Sequence, residues 1–197
     1  FDEEFTQSLQ NDKFRNVYES ERGGGYWIWK PYIVYKHLKN MNDGDILVYA
    51  DAGCSIKNNN ETINGFETII KKLRNNDTNM ILNDLGERYL EKNWNKGNVL
   101  HSYGVYNNEE ILNESQYEGG RIFMIKNNKT MEIITKWWDT AKKHPEFFDD
   151  SESEIPNKDG FKEHRHDQSN ISILCKLHEE CSGDSLHGII QATRLRK

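Results

Sequence analysis

At 197 residues the chain is long enough for one domain with a full hydrophobic core, and with 35% hydrophobic and 29% charged residues it is polar for its size. A formal charge of −6 argues against a general nucleic-acid binder, which needs a basic face, while leaving room for a local basic pocket that holds a phosphate. Three cysteines without paired spacing, Cys54, Cys175 and Cys181, fit a reducing, cytoplasmic compartment better than a disulfide framework, and no run is apolar enough to span a membrane.

Taken in order, Phe1 to Ser20 is polar with scattered Phe5, Leu9, Phe14 and Val17, and predicts a short helix. Gly23-Gly24-Gly25 gives a backbone that tolerates positive φ and close approach to a ligand. Pro31 then suits the first turn of a helix reaching Met41, with Val34 and Leu38 on one face. Asn42-Asp43-Gly44 is a turn. It opens into Asp45-Ile46-Leu47-Val48-Tyr49-Ala50-Asp51, which reads as a central strand buried on both faces and ending in an acid. A second amphipathic helix is expected over Ile63 to Leu73, then a strand at Met80-Ile81-Leu82. Gly86 to Tyr106 predicts one or two short helices. Gln116-Tyr117-Glu118-Gly119-Gly120 leads into a strand at Arg121 to Ile125. A helix capped by Asn127 or Asn128 follows, burying Met131, Ile134, Trp138 and Ala141. Asp149 to Gly160 reads as a mobile loop, His164 to Cys175 as a short helix, and Gly188 to Lys197 as a last strand. Alternating strands and helices predict an α/β class with a mostly parallel sheet.

The candidate chemistry starts at Asp51. An acid at the end of a buried strand can ligate a divalent metal that holds a diphosphate, or it can simply cap a neighbouring loop. Gly23 to Lys30 can cradle a phosphate with backbone N–H groups, helped by Arg22 or Lys30. Trp27 and Trp29 read as core rather than as stacking platforms. His164, Arg165, His166 and Asp167 gather titratable groups beside the acidic loop, with Asp167 either a base or a helix cap. Gln116 and Glu118 stand before a glycine pair that permits close substrate approach.

Together these pieces resemble a family. Gly25-Tyr26-Trp27-Ile28-Trp29-Lys30-Pro31-Tyr32, then Asp43 to Cys54 with its Asp51-Ala52-Gly53, is similar to GT-A-type glycosyltransferase-like proteins of bacterial polysaccharide loci and large DNA viruses. The similarity continues through Glu91 to Gly97 and Gln116 to Gly120, and ends at His166-Asp167-Gln168-Ser169. The resemblance implies a GT-A (Rossmann-like) fold in a single domain over residues 1–197. It implies a nucleotide-sugar donor, a UDP-sugar first, a glycan or glycoconjugate hydroxyl as acceptor, and Mn2+ or Mg2+. Asp167 and Glu118 take the catalytic positions. Arg22, Gly25, Trp27, Lys30, Asp51, Ala52, Gly53, Gln116, Gly119 and Gln168 take the donor-binding ones. Asp51 takes the first acid of a DxD motif and Gly53 the second, leaving one carboxylate where two are usual. His166 or His187 is the expected late metal ligand. A GT-A fold opens with a strand whose end holds the nucleobase, and none is visible before Gly23. The chain starts at Phe1, so the expectation is a trimmed N-terminus or a base held differently. The alternative is an inactive sugar- or partner-binding module on the same fold.

Overall fold

A computed structural model describes residues 2–193. Two helices open the chain, α1 (Glu3–Ser8) and α2 (Asp12–Tyr18). Each starts on a side-chain cap, Asp2 accepting from Phe5 N and Asn11 from Lys13 N and Phe14 N. The turn α3 (Gly23–Tyr26) follows, then α4 (Lys30–Lys39) with Pro31 in its first turn. The remaining order is β1 (Ile46–Ala50), β2 (Cys54–Ser55), α5 (Asn60–Arg74), β3 (Met80–Asp84), α6 (Glu91–Trp94), α7 (Gly97–Ser102), α8 (Glu109–Leu112), β4 (Tyr117–Ile125), α9 (Asn128–Lys143), a 3-10 turn at Pro145–Phe147, α10 (His166–Lys176), β5 (Cys181–Asp184) and β6 (Gln191–Ala192).

The architecture is mixed α/β, and its sheet corrects the expected parallel one. Strand order is β1-β4-β3-β5, with β4 antiparallel to both neighbours and only β3 and β5 parallel. The alternation of strands and helices predicts crossovers, but it does not fix strand direction. The chain from β3 to β4 passes through short helices and returns reversed. β1 is likewise an edge strand, not a central one. Its residues are half-buried to exposed, with Val48 36% exposed. The doubly buried strand is β4, fully buried from Gly119 to Ile125.

Two apolar clusters sandwich the sheet. The larger joins Leu82, Ile122 and Met124 to Val34 and Leu38 of α4, Ile134 and Trp138 of α9, and Ile171 and Leu174 of α10. Phe5 and Phe14 bring α1 and α2 into it, with ring centroids 6.1 and 5.8 Å from that of Trp138. Truncating such a ring to alanine costs about 3–5 kcal/mol. The face of α9 is close to the expected one, but Trp137 is buried too, while Met131 is only half-buried. The smaller cluster, on the opposite face, sets Ile69 and Leu73 of α5 against Ile81, Phe123 and Ile125.

The segment expected as a mobile loop is anchored. The ammonium of Lys96, 2% exposed, donates to the carbonyls of Glu146 at 2.5 Å, Asp149 at 3.2 Å and Ser151 at 3.2 Å. Gly97 N and Asn98 N donate to Asn157 Oδ1 and Ser153 Oγ, both at 2.8 Å. The strand expected in the tail is reduced to β6, paired with β2, and residues 194–197 lie outside the described residues.

Candidate active site

The site forms where β4 leaves its ladder with β3. Leu82 pairs with Ile122 but Asn83 pairs with Glu118, so Gly119, Gly120 and Arg121 bulge out. Bulges re-aim side chains and recur beside functional sites. On the other side the β1 ladder runs one step beyond the strand, through Asp51 N to Gly120 O at 2.9 Å. That step brings the Asp51 carboxylate onto the bulge. A Cβ on Gly120 would lie 2.6 Å from Asp51 Oδ2 and 3.4 Å from Glu118 Oε1; one on Gly119 would lie 2.9 Å from Asp167 Oδ2. The glycine pair is thus a floor that three carboxylates approach.

Lys30 ties this floor together. Its Nζ is 2.6 Å from Asp167 Oδ2 and 3.3 Å from Asp51 Oδ1, and it donates to Gly119 O at 3.3 Å. The Asp167 contact is an ion pair outside hydrogen-bond geometry, so Oδ2 has no hydrogen-bond partner. Tyr49 OH donates to Asp51 Oδ1 at 2.8 Å. Burial works against the charge on Lys30, but Asp167 and Asp51 outweigh it and raise its pKa. Burial pushes the Asp167 carboxyl up to about 6, against the pull of Lys30. Lys30 therefore holds two acids rather than reaching a phosphate.

The cradle expected over Gly23 to Lys30 is not formed by its N–H groups. Gly24, Gly25, Tyr26, Ile28 and Lys30 all donate to carbonyls within residues 20–27. The glycines serve the turn itself, since φ is positive at every residue from Gly23 to Trp27. Gly25 is buried, and a Cβ there would lie 2.8 Å from Tyr18 Cα, so it packs on α2 instead of facing a ligand.

Two joined cavities open over the floor. A narrow recess of about 80 Å3 is lined by Lys30, Gly119, Asp167 and Gln168. A wide chamber of about 460 Å3 is lined by Arg22, Trp27, Trp29, Tyr49, Ala52, Gly53 and Cys54. Asp51, Glu118, Trp27, Arg165 and His166 border both. Trp27 and Trp29, expected in the core, are half-buried on the chamber wall. Gln116, expected at the donor, is 0% exposed and lies beneath the floor. It accepts from Gln168 Nε2 at 2.5 Å and donates to Glu91 Oε2 at 3.2 Å, while Gly119 N donates to Gln168 Oε1 at 3.3 Å. Glu91, fully buried, is a residue that sequence reasoning missed. Its position inside Glu91-Lys92-Asn93-Trp94-Asn95 was the available signal.

His166 and His187, the expected late metal ligands, have other partners. His166 Nε2 is 3.0 Å from Asp150 Oδ1, and its ring lies against those of Tyr26 and Trp27. His187 Nδ1 is 3.5 Å from Arg121 Nη1, a repulsive neighbour for a cation. Among the described residues no three His, Cys, Asp or Glu side chains are grouped to hold an ion. Burial holds the His166 imidazole below its ordinary range, against the pull of Asp150. Its φ of 54° is unusual for a non-glycine residue, and such strain collects at functional sites.

No helix among the described residues is long and apolar enough to cross a membrane. No family model, no curated protein and no solved structure matches the chain.

Proposed function

We propose that this chain is a glycosyltransferase, moving a sugar from a nucleotide-sugar donor, UDP-linked first, to a hydroxyl of a glycan or glycoconjugate. The observation that carries this reading is the convergence of Asp51, Glu118 and Asp167 on the Gly119-Gly120 floor of an aromatic-lined cleft. The GT-A reading of the fold is supported by the place of Asp51, directly after β1 at the end of the sheet.

In the proposed reaction Asp167 is the general base. With a pKa of about 6 it is ionised at neutral pH and still basic enough to accept a hydroxyl proton. The acceptor oxygen bonds to the anomeric carbon as the bond to the diphosphate breaks, and the proton passes to Asp167. Negative charge builds on the leaving diphosphate. Arg22 and Arg165 border the chamber, with side chains 49% and 31% exposed, and their ion pairs to Asp150 and Glu163 can be exchanged for phosphate oxygens. Glu118 is the less suited base, because Oε2 is held by Arg121. A divalent metal at Asp51 would have the carboxylate oxygen Oδ2, with Glu118 Oε1 facing the same point above Gly120. The described residues do not build a full shell for it.

The reading is tested by incubating the protein with UDP-, GDP- and TDP-sugars, with Mn2+ or with chelator, and measuring released nucleoside diphosphate. Release from one donor that is lost in Asp167→Asn supports it. No release and no donor binding in either condition would overturn it. An inactive sugar-binding module is favoured by one observation, the absence of a second acid on the Asp51-Ala52-Gly53 turn. Turnover would remove that reading.

A further inference from the structure

We propose that the inner wall of the wide chamber is a subsite for a neutral sugar ring, with Asp51 Oδ2 and Glu118 Oε1 accepting hydrogen bonds from two of its hydroxyl groups and the diphosphate left to the Arg22 and Arg165 side. The substrate class rests on the glycosyl-transfer reading, but the chemistry of the chamber stands apart from it.

Three observations lead here. The first is shape and surface. Trp27, Trp29 and Tyr49 give ring surface to a chamber of about 460 Å3, within the range that takes a small organic ligand. Trp27 is held in place from behind, since a Cβ on Gly23 would lie 2.6 Å from its ring.

The second is the hydrogen-bond inventory. On Asp51 the hydrogen bond from Tyr49 and the ion pair with Lys30 both fall on Oδ1, and on Glu118 the bonds from Arg121 fall on Oε2. Oδ2 and Oε1 both lie within 3.4 Å of one point above Gly120. A carboxylate oxygen only accepts, so a ligand there must bring donors. A hydroxyl brings one and a phosphate oxygen does not.

The third is charge. The two buried cations beside these acids are spent: Lys30 on Asp51, Asp167 and Gly119 O, Arg121 on Glu118 and on Ile190 O at 2.8 Å. The exchangeable guanidiniums, Arg22 and Arg165, are the more exposed ones. A polyol fits the inner wall at no electrostatic cost, and the diphosphate is left to these two arginines.

The test is tryptophan fluorescence and calorimetry on the whole chain. The probes are methyl glycosides of glucose, galactose and N-acetylglucosamine, their single-deoxy analogues, UDP, and the matching UDP-sugars. The expected result is that Asp51→Asn and Trp29→Ala weaken sugar binding at least tenfold while UDP alone changes less than threefold. With unmodified protein, one deoxy analogue should bind at least tenfold more weakly than its parent, because the ring then covers a carboxylate oxygen without giving it a donor. That arm does not depend on a variant folding. Loss of UDP-sugar affinity with glycoside affinity unchanged makes the ring the donor's; the reverse makes it the acceptor's. Equal weakening of UDP and UDP-sugar in both variants would overturn the proposal, as would sugar binding that chelator abolishes, since a cation would then occupy the two oxygens. UDP-sugar binding and glycoside binding both indifferent to the two variants sink the proposal and leave the glycosyltransferase reading. Glycoside binding without any nucleotide-sugar binding does the opposite.

Discussion

Lys30 Nζ stands 2.6 Å from Asp167 Oδ2 in a place where the lysine is 2% and the aspartate 4% exposed. A buried ion pair adds little net stability, but losing one partner leaves an uncompensated charge. Lys30→Met is therefore expected to cost about 3–5 kcal/mol in urea unfolding. The double change Lys30→Met with Asp167→Asn should recover part of that loss. Equal stability of Lys30→Met and the unmodified chain would show that the pair is not closed in solution.

The proton on Asp167 gives a pH dependence with a definite sign. Its carboxyl titrates at about 6 in the folded chain against an ordinary 3.8. Between those values the native state binds the proton more tightly than the unfolded state does. The contribution of this group is thus most favourable below about pH 4, falls as pH rises to about 6, and is flat above, a change of about 3 kcal/mol. Asp167→Asn should flatten that slope, read as the difference between two series of unfolding curves from pH 4 to 7. In the proposed reaction kcat/KM should climb through pH 6, because only the ionised carboxylate accepts a proton.

Gly120→Ala tests the floor. The new Cβ would meet Asp51 Oδ2 at 2.6 Å, and the acid must swing away. Overpacking of this kind costs about 1–3 kcal/mol, so the protein should fold while losing sugar affinity. Near-ultraviolet circular dichroism reads the fold and calorimetry the binding. Retained affinity would show that Asp51 does not need its observed position.

Gly25→Ala tests the left-handed turn. Gly25 has φ of 92° and abuts the Tyr18 backbone, which cannot yield like a side chain. The conformational term alone is about 1–2 kcal/mol, and the clash adds to it. A clear drop in thermal midpoint is expected, larger than that of Gly44→Ala, where the φ of 88° carries the same conformational term but no atom stands within 4 Å of the added carbon.

The elements were largely legible in the sequence, because apolar spacing reports which residues face a core. Val34 and Leu38 on α4, Ile69 and Leu73 on α5, and Ile134 and Trp138 on α9 all fall on buried faces. Strand partners were not legible. Ile46 to Ala50 is apolar enough for a central strand yet sits at an edge, and Cys181 to Asp184 has no strand signal yet pairs with β3. Both outcomes are set by tertiary neighbours. Of the site, Asp51, Glu118, Asp167 and the glycine pair were visible as residue types. The convergence of Glu118 on Asp51 was not, because it depends on a bulge that no local pattern announces. The role of Lys30 changed for the same kind of reason: a lysine near a glycine run suggests a phosphate, and only burial shows it turned inward.

The ammonium of Lys30 is a junction of α4, the end of β1, the β4 bulge and the start of α10, segments lying far apart along the chain. No subset of the fold can hold it. Such distant contacts close late, after the loops between them have been ordered. A ligand that needs Asp51 and Asp167 in register therefore recognises only the fully folded chain. Its occupancy should follow global unfolding step for step, and bound ligand should raise the unfolding midpoint of every element together.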